Sequence, residues 1–205
     1  MPTQTFFNLP KEKRKVLIDA AFKEFSRTSL ADASIANIIK EACIPRGSFY
    51  QYFEDKADIF FYILEEYNKH NRERVLLLLK ENDGDIFIAF NAFFKMMLER
   101  FQHHEYRYFA QNIFLNMSYK VEHRLALNVN EPAAKERTNE FIRSINRSRL
   151  NVADEKEVLH LTKIIVAITI QNFIRFFAKE VPLDDIIEHY ELELDLLKRG
   201  LSIDK

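Results

Sequence analysis

Glycine occurs three times and proline five times in 205 residues. Sheets and loop-rich folds draw on these residues for tight turns, so their scarcity favours long helices. No segment alternates apolar and polar residues between turn signals, which leaves strands without support. The hydrophobic share, 47%, is ordinary for a packed chain and argues against disorder. The sequence therefore predicts an all-α protein. Cysteine occurs once, at Cys43, which excludes an internal disulfide framework and fits a reducing, cytoplasmic setting. A lone cysteine among apolar neighbours reads as a small core residue; nothing around it argues for the lowered thiol pKa of a redox sensor. The opening MPTQTFFNLPKEKRK lacks the apolar run and small-residue cleavage site of a secretory signal. No window approaches the ~18 uncharged apolar residues of a membrane span. The richest stretch, Ile164 to Phe177, is interrupted by Gln171, Asn172 and Arg175. The expectation is a soluble, cytoplasmic chain without membrane contact. A net charge of −1 rules out a uniformly basic coat. It leaves room for a local patch, because phosphate attraction is screened within about 10 Å.

Apolar residues at helical spacing (Val16, Leu17, Ala20, Ala21, Phe22, Phe25) predict a helix over 10–27, with Pro10 suited to its first turn. Its leading end holds Lys11, Lys13, Arg14 and Lys15 against one Glu12, the most basic cluster in the chain. Cations there oppose the macrodipole, so local helix stability does not explain them; a solvated face and a long-range attractor for phosphate both fit. Ser34 suits the cap of a short helix to about Ala42, with Ile35, Ile38, Ile39 and Ala42 as one apolar stripe. Pro45 disfavours helix at Ile44. A second short helix is predicted from Pro45 or Arg46 to about Phe53, and a long one from Glu54 and Asp55 to about Lys80. Two short helices joined by a tight turn, with a helix before them, make a helix-turn-helix unit.

On the second short helix, Phe49 and Phe53 lie four apart and can face inward. Arg46, Ser48, Gln51 and Tyr52 fall on the other side, with Tyr50 at the margin. Gly47 removes a side chain where another backbone could approach. Such a face is poor as core and suited to phosphates and base edges.

The run SIANIIKEACIPRGSFYQYFEDK, Ser34 to Lys56, resembles the DNA-binding signature of the TetR family of bacterial repressors. The Gly-Ser-Phe-Tyr-x-Tyr-Phe-x-x-Lys spacing carries the resemblance; Cys43 departs from it, standing where many members have glycine. The resemblance implies a three-helix DNA-binding head over 1–54 and a helical ligand-binding and dimerisation body over 55–205, joined by a long helix. It implies double-stranded DNA as partner, with Ser34, Arg46, Gly47, Ser48, Tyr50, Gln51, Tyr52 and Lys56 as the contacting residues. Arg46 and Gln51 are the candidates for base edges, the others for the backbone.

Beyond residue 60, breaks are expected at Asn82–Gly84, Gln102–Glu105, Val129–Pro132 and Asn151–Asp154. The helix over 155–179 is apolar almost all round, and that over 183–199 carries a stripe of Leu183, Ile186, Ile187, Tyr190, Leu194 and Leu197. Pairing of both with a twofold copy would form a four-helix homodimer core, as the family does; closure of the monomer core is the alternative. Between 87 and 119 the chain is rich in aromatic residues, Tyr119 among them. Most read as core, but Phe93, Met97, Phe101, Tyr106, Phe109 and Phe114, with Phe173, are candidates to line a cavity for a small hydrophobic or planar effector. A haem, an acyl chain and a drug-like compound all stay open. His70 and His160 could flank such a site. His103 and His104 are adjacent and form no i, i+4 chelate, and Glu157 with His160 is a single Glu-x-x-His without its second copy. No cofactor or metal is expected. No phosphate loop or nucleophile elbow supports the competing reading as a bundle enzyme.

Overall fold

The computed structural model describes residues 2–102, 104–116, 132–179 and 182–201. The helices are α1 (Gln4–Phe7), α2 (Lys11–Arg27), α3 (Ile35–Glu41), α4 (Arg46–Tyr52), α5 (Lys56–Glu81), α6 (Ile86–Arg100), α7 (His104–Leu115), α8 (Pro132–Arg143), α9 (Glu155–Ala178) and α10 (Leu183–Leu201). A 3-10 turn covers Arg147–Arg149. No strand occurs among the described residues. The expected break at Val129–Pro132 falls, apart from Pro132, outside the described residues, as do Tyr119 and the side chains of His103 and His104.

Two compact units emerge: residues 1–69 with 101–116, and residues 70–100 with 117–205. They cut the chain elsewhere than the sequence boundary at 54/55, because α5 stays with the first unit as far as residue 69 and because α7 joins that unit. Phe109 is buried and stacks on Phe22 of α2 at 4.7 Å. Asn112 Nδ2 donates to the carbonyls of Phe25 and Ser26, at 2.9 and 3.1 Å, which closes the C-terminal end of α2. Tyr106 meets Phe22 edge-on.

Within the first unit, α5 starts at a reciprocal cap. Asp55 Oδ1 accepts from the Asp58 N–H at 2.8 Å, and Asp58 Oδ2 accepts from the Glu54 N–H at 3.2 Å. Glu54 and Asp55 thus precede the helix rather than open it. Ahead of α2, the sequence reading missed α1, four residues long, whose Phe6 is fully buried. An apolar stripe needs more than one turn to be legible.

In the second unit, α6 and α9 both pack on α10. Phe94 stacks on Tyr190 at 4.0 Å and on Phe173 at 4.9 Å, and the Tyr190 hydroxyl meets Thr169 Oγ1 at 2.8 Å. Burial pushes the Tyr190 hydroxyl above the usual tyrosine range, so it stays neutral and hydrogen-bonded. The turn at Asn82–Gly84 is closed by glycine for a steric reason. Gly84 has φ +74, and a Cβ there would lie 2.6 Å from the Asn146 nitrogen. Gly84 O also accepts from that N–H at 3.0 Å.

By length and composition α9 could cross a membrane, although the sequence reading found no such stretch. The difference lies in tolerance for the interrupting Gln171, Asn172 and Arg175. Its Ile165, Thr169, Asn172, Phe173 and Phe177 face the core of the second unit, and its buried threonines satisfy their hydroxyls on Val158 O and Ile165 O.

Candidate nucleic-acid interface

The turn between α3 and α4 is closed by Ile44 N–H on Ile39 O at 3.1 Å. It needs a left-handed residue, and Cys43 fills that place with φ +53. Its side chain is exposed, not a core residue as its apolar neighbours suggested. The turn, rather than composition, sets its direction. A non-glycine residue in this conformation stores about 1 kcal/mol of strain.

α4 follows, seven residues long. Phe49 and Phe53 are fully buried with ring centroids 5.9 Å apart, as their spacing predicts. Arg46, Gly47, Tyr50 and Gln51 are exposed, while Ser48 and Tyr52 are half-buried. Arg46 Cζ lies 5.9 Å from the centroid of the Tyr50 ring, within cation–π range, which orients both side chains. At Gly47 a Cβ would meet nothing within 4 Å, so packing inside this chain does not require glycine. Glycine within a helix costs roughly 0.5–1 kcal/mol relative to alanine.

Ser34 stands at the start of α3 in extended conformation, but its side chain makes no capping bond. A residue that the sequence reading missed takes over. Glu24 of α2 is 5% exposed and accepts the Ser34 N–H at 2.8 Å. It also accepts from Asn37 Nδ2 at 3.1 and 3.3 Å and from both prongs of Arg27, Nε at 2.9 and Nη2 at 2.8 Å. The Arg27 guanidinium, helped by the Ser34 amide and Asn37 and opposed by burial, holds the Glu24 carboxyl down to about 2. A buried carboxylate thereby ties α2 to the first turn of α3. The only sequence signal was a charge on an otherwise apolar stripe.

Lys56 is half-buried, and its ammonium donates to Ala31 O at 2.5 Å and Ala33 O at 3.0 Å. The side chain thus fastens the start of α5 to the α2–α3 loop. Of the basic cluster at α2, Lys11, Lys13 and Lys15 are exposed and Arg14 is half-exposed; Lys15 pairs with Asp19.

The seven residues named for an effector cavity do not fall in one unit. Phe93, Met97 and Phe173 belong to the second; Phe101, Tyr106, Phe109 and Phe114 belong to the first. All but the partly exposed Tyr106 are buried. His70 and His160 are both exposed. Among the described residues, no group of three or more His, Cys, Asp or Glu is placed to hold a metal ion.

Residues 17–63 match the family described as bacterial regulatory proteins, tetR family, and residues 85–201 match the tetracyclin repressor-like C-terminal domain. YdgC of Bacillus subtilis, an uncharacterized HTH-type transcriptional regulator, is 38% identical over 71 residues, which are 35% of this chain and 36% of that protein. This chain thus spans about a third of that curated relative's length. In structure, a TetR-family transcriptional regulator of Pectobacterium atrosepticum superposes with a TM-score of 0.63 at 22% identity, covering 95% of this chain and 96% of that one. One of Syntrophomonas wolfei does so with 0.63 at 18% identity, covering 93% and 96%. At these identities the two structures speak for the fold. With a family match over residues 85–201 and the helix-turn-helix match over 17–63, the chain belongs to the TetR family of helix-turn-helix transcriptional regulators.

Proposed function

We propose that the protein is a ligand-responsive repressor that binds a palindromic operator as a homodimer. The outer face of α4 would read the major groove, and an apolar or planar effector in the helical body would set the spacing of the two heads. The observation that carries this reading is the division of α4. Two phenylalanines are sealed beneath it, while Arg46, Tyr50 and Gln51 stand exposed around a glycine that no intramolecular contact needs. Arg46 and Gln51 suit guanine and adenine edges; Ser34, Ser48, Tyr50 and Tyr52 suit phosphates. Lys56, with two of its N–H groups on carbonyls, keeps one for the DNA backbone. A twofold pair would set two such helices about one helical turn apart.

The homodimer reading is supported by exposed apolar side chains on the last two helices, Ile164 at 47%, Leu192 at 53% and Leu196 at 56%. Isolated examples would need no explanation, but these stand on helices whose opposite faces are already sealed. The effector reading is supported by the aromatic core of the second unit. It is supported also by two buried side-chain oxygens there, Asn91 Oδ1 and Asn172 Oδ1, with no hydrogen-bond partner. An effector that shifts the heads must bind their two arrangements with different affinity.

The test is a duplex selected by the unmodified protein from a random pool, followed by anisotropy titrations over a range of salt. Arg46→Ala and Gln51→Ala should each lower affinity for the selected duplex about tenfold. Tyr50→Ala should weaken selected and random duplexes together. Unchanged affinity in all three, or a flat salt dependence, would rule out α4 as the reading helix.

A further inference from the structure

The last carbonyls of α4 are bonded by Thr3, which lies 48 positions ahead of Gln51. Thr3 Oγ1 donates to Gln51 O at 2.6 Å, and the Thr3 N–H donates to Tyr52 O at 3.0 Å. A helix of two turns is marginal in isolation, and its C-terminal carbonyls have no partner of their own. The same segment carries Phe6, fully buried, with ring centroids 4.8 Å from Phe53, 5.3 Å from Tyr62 and 6.5 Å from Tyr52. It is folded on itself as α1, with Asn8 N–H on Gln4 O and Leu9 N–H on Phe6 O. The ring pins this turn where α4 ends, against the first turns of α5. Glu24 secures the start of α3, whereas Thr3 and Phe6 secure the finish of α4.

We infer that Thr3 and Phe6 are positioning residues for sequence recognition: segment 2–9 clamps the C-terminal end of α4 and fixes the direction of Gln51 and Tyr50. The inference rests on α4 being the reading helix. Its consequence is a loss of selectivity rather than of DNA binding as such. Phosphate attraction tolerates a helix that rocks by an ångström, while bidentate contacts to base edges do not.

The experiment uses the full chain, the selected duplex and a random duplex of equal length, with Thr3→Val, Phe6→Ala and Phe6→Leu. Val keeps the shape and backbone N–H of Thr3 and loses only the hydroxyl donor. The ratio of selected to random affinity should fall about threefold in Thr3→Val, by the worth of one hydrogen bond. It should fall about tenfold in Phe6→Ala and recover for the most part in Phe6→Leu. Amides of Phe49–Tyr52 should exchange faster with solvent in the first two, and those of α9 should not change. Should Phe6→Ala fail to fold, Thr3→Val decides alone. An unchanged ratio in Thr3→Val and in every folded Phe6 variant, while Arg46→Ala still weakens the selected duplex, overturns the clamp. If Arg46→Ala and Gln51→Ala are also without effect, the assignment of α4 fails and the clamp falls with it.

Discussion

The exposed faces of α4 and α9 differ in kind although both helices bury aromatic rings. α4 hides two phenylalanines and shows a guanidinium, a phenol and an amide. α9 hides Phe173 and Phe177 and shows Ile164 and Ala167 among His160, Lys163 and Gln171. Water tolerates either face, but the hydrogen-bonding face of α4 suits a polyanion, whereas the apolar side chains on α9 gain from being covered. Burial alone describes the two as similar. What is left outside tells them apart.

The two units also hold themselves together differently, and the largest expected effect falls on the second. Gly84→Ala forces a Cβ onto the backbone of Asn146 at a positive φ. It should destabilise the chain by about 3 kcal/mol in denaturant melts. A loss below about 1 kcal/mol would show that the 84–146 contact gives way freely.

Next comes the proposed apolar seam. Leu192→Glu with Leu196→Glu should weaken a homodimer by about 2–4 kcal/mol, seen by sedimentation as a shift toward monomer, with helicity unchanged. A double variant that sediments as the parent does would turn the exposed stripe of α10 into ordinary surface.

The first unit depends on a charge. Because Glu24 is held near 2 when folded and lies near 4.5 when unfolded, its contribution is full above about 4.5 and disappears as pH falls toward 2. With Arg27 half-exposed, that contribution is on the order of 2 kcal/mol after screening. Urea melts of Glu24→Gln should therefore lie about 2 kcal/mol below the parent at pH 7 and draw closer to it below pH 4. A constant gap across that window would remove the carboxylate from the account.

The smallest effect is a gain. Cys43→Gly relieves a left-handed backbone and should raise stability by about 0.5–1 kcal/mol. A loss of stability would mean that the exposed Cys43 side chain makes a contact worth more than its strain.

Much of the site was legible before any coordinates. Phe49 and Phe53 are four apart, and so they share the buried side of a helix; Arg46, Tyr50 and Gln51 are then left outside. The last two helices were legible because their apolar stripes run for many turns. Glu24, Thr3 and Phe6 were not. A carboxylate inside an apolar stripe looks like a surface charge until Arg27, Ser34 and Asn37 are found around it. A threonine 48 residues ahead of a carbonyl gives no local sign of bonding it. The residues named for an effector are a different case, since aromatic density was visible but its division between two units was not.

By itself, then, the sequence determined the helical class, the turns at glycine and proline, and the inner and outer sides of α4. All of these follow from periodicity and backbone sterics over a few residues. Only the tertiary structure decided that α7 joins the first unit, that Glu24 points inward, that Lys56 grips a loop and that Thr3 closes α4. Those pairings bring together groups tens of residues apart, and their partners are chosen by packing that no local pattern encodes.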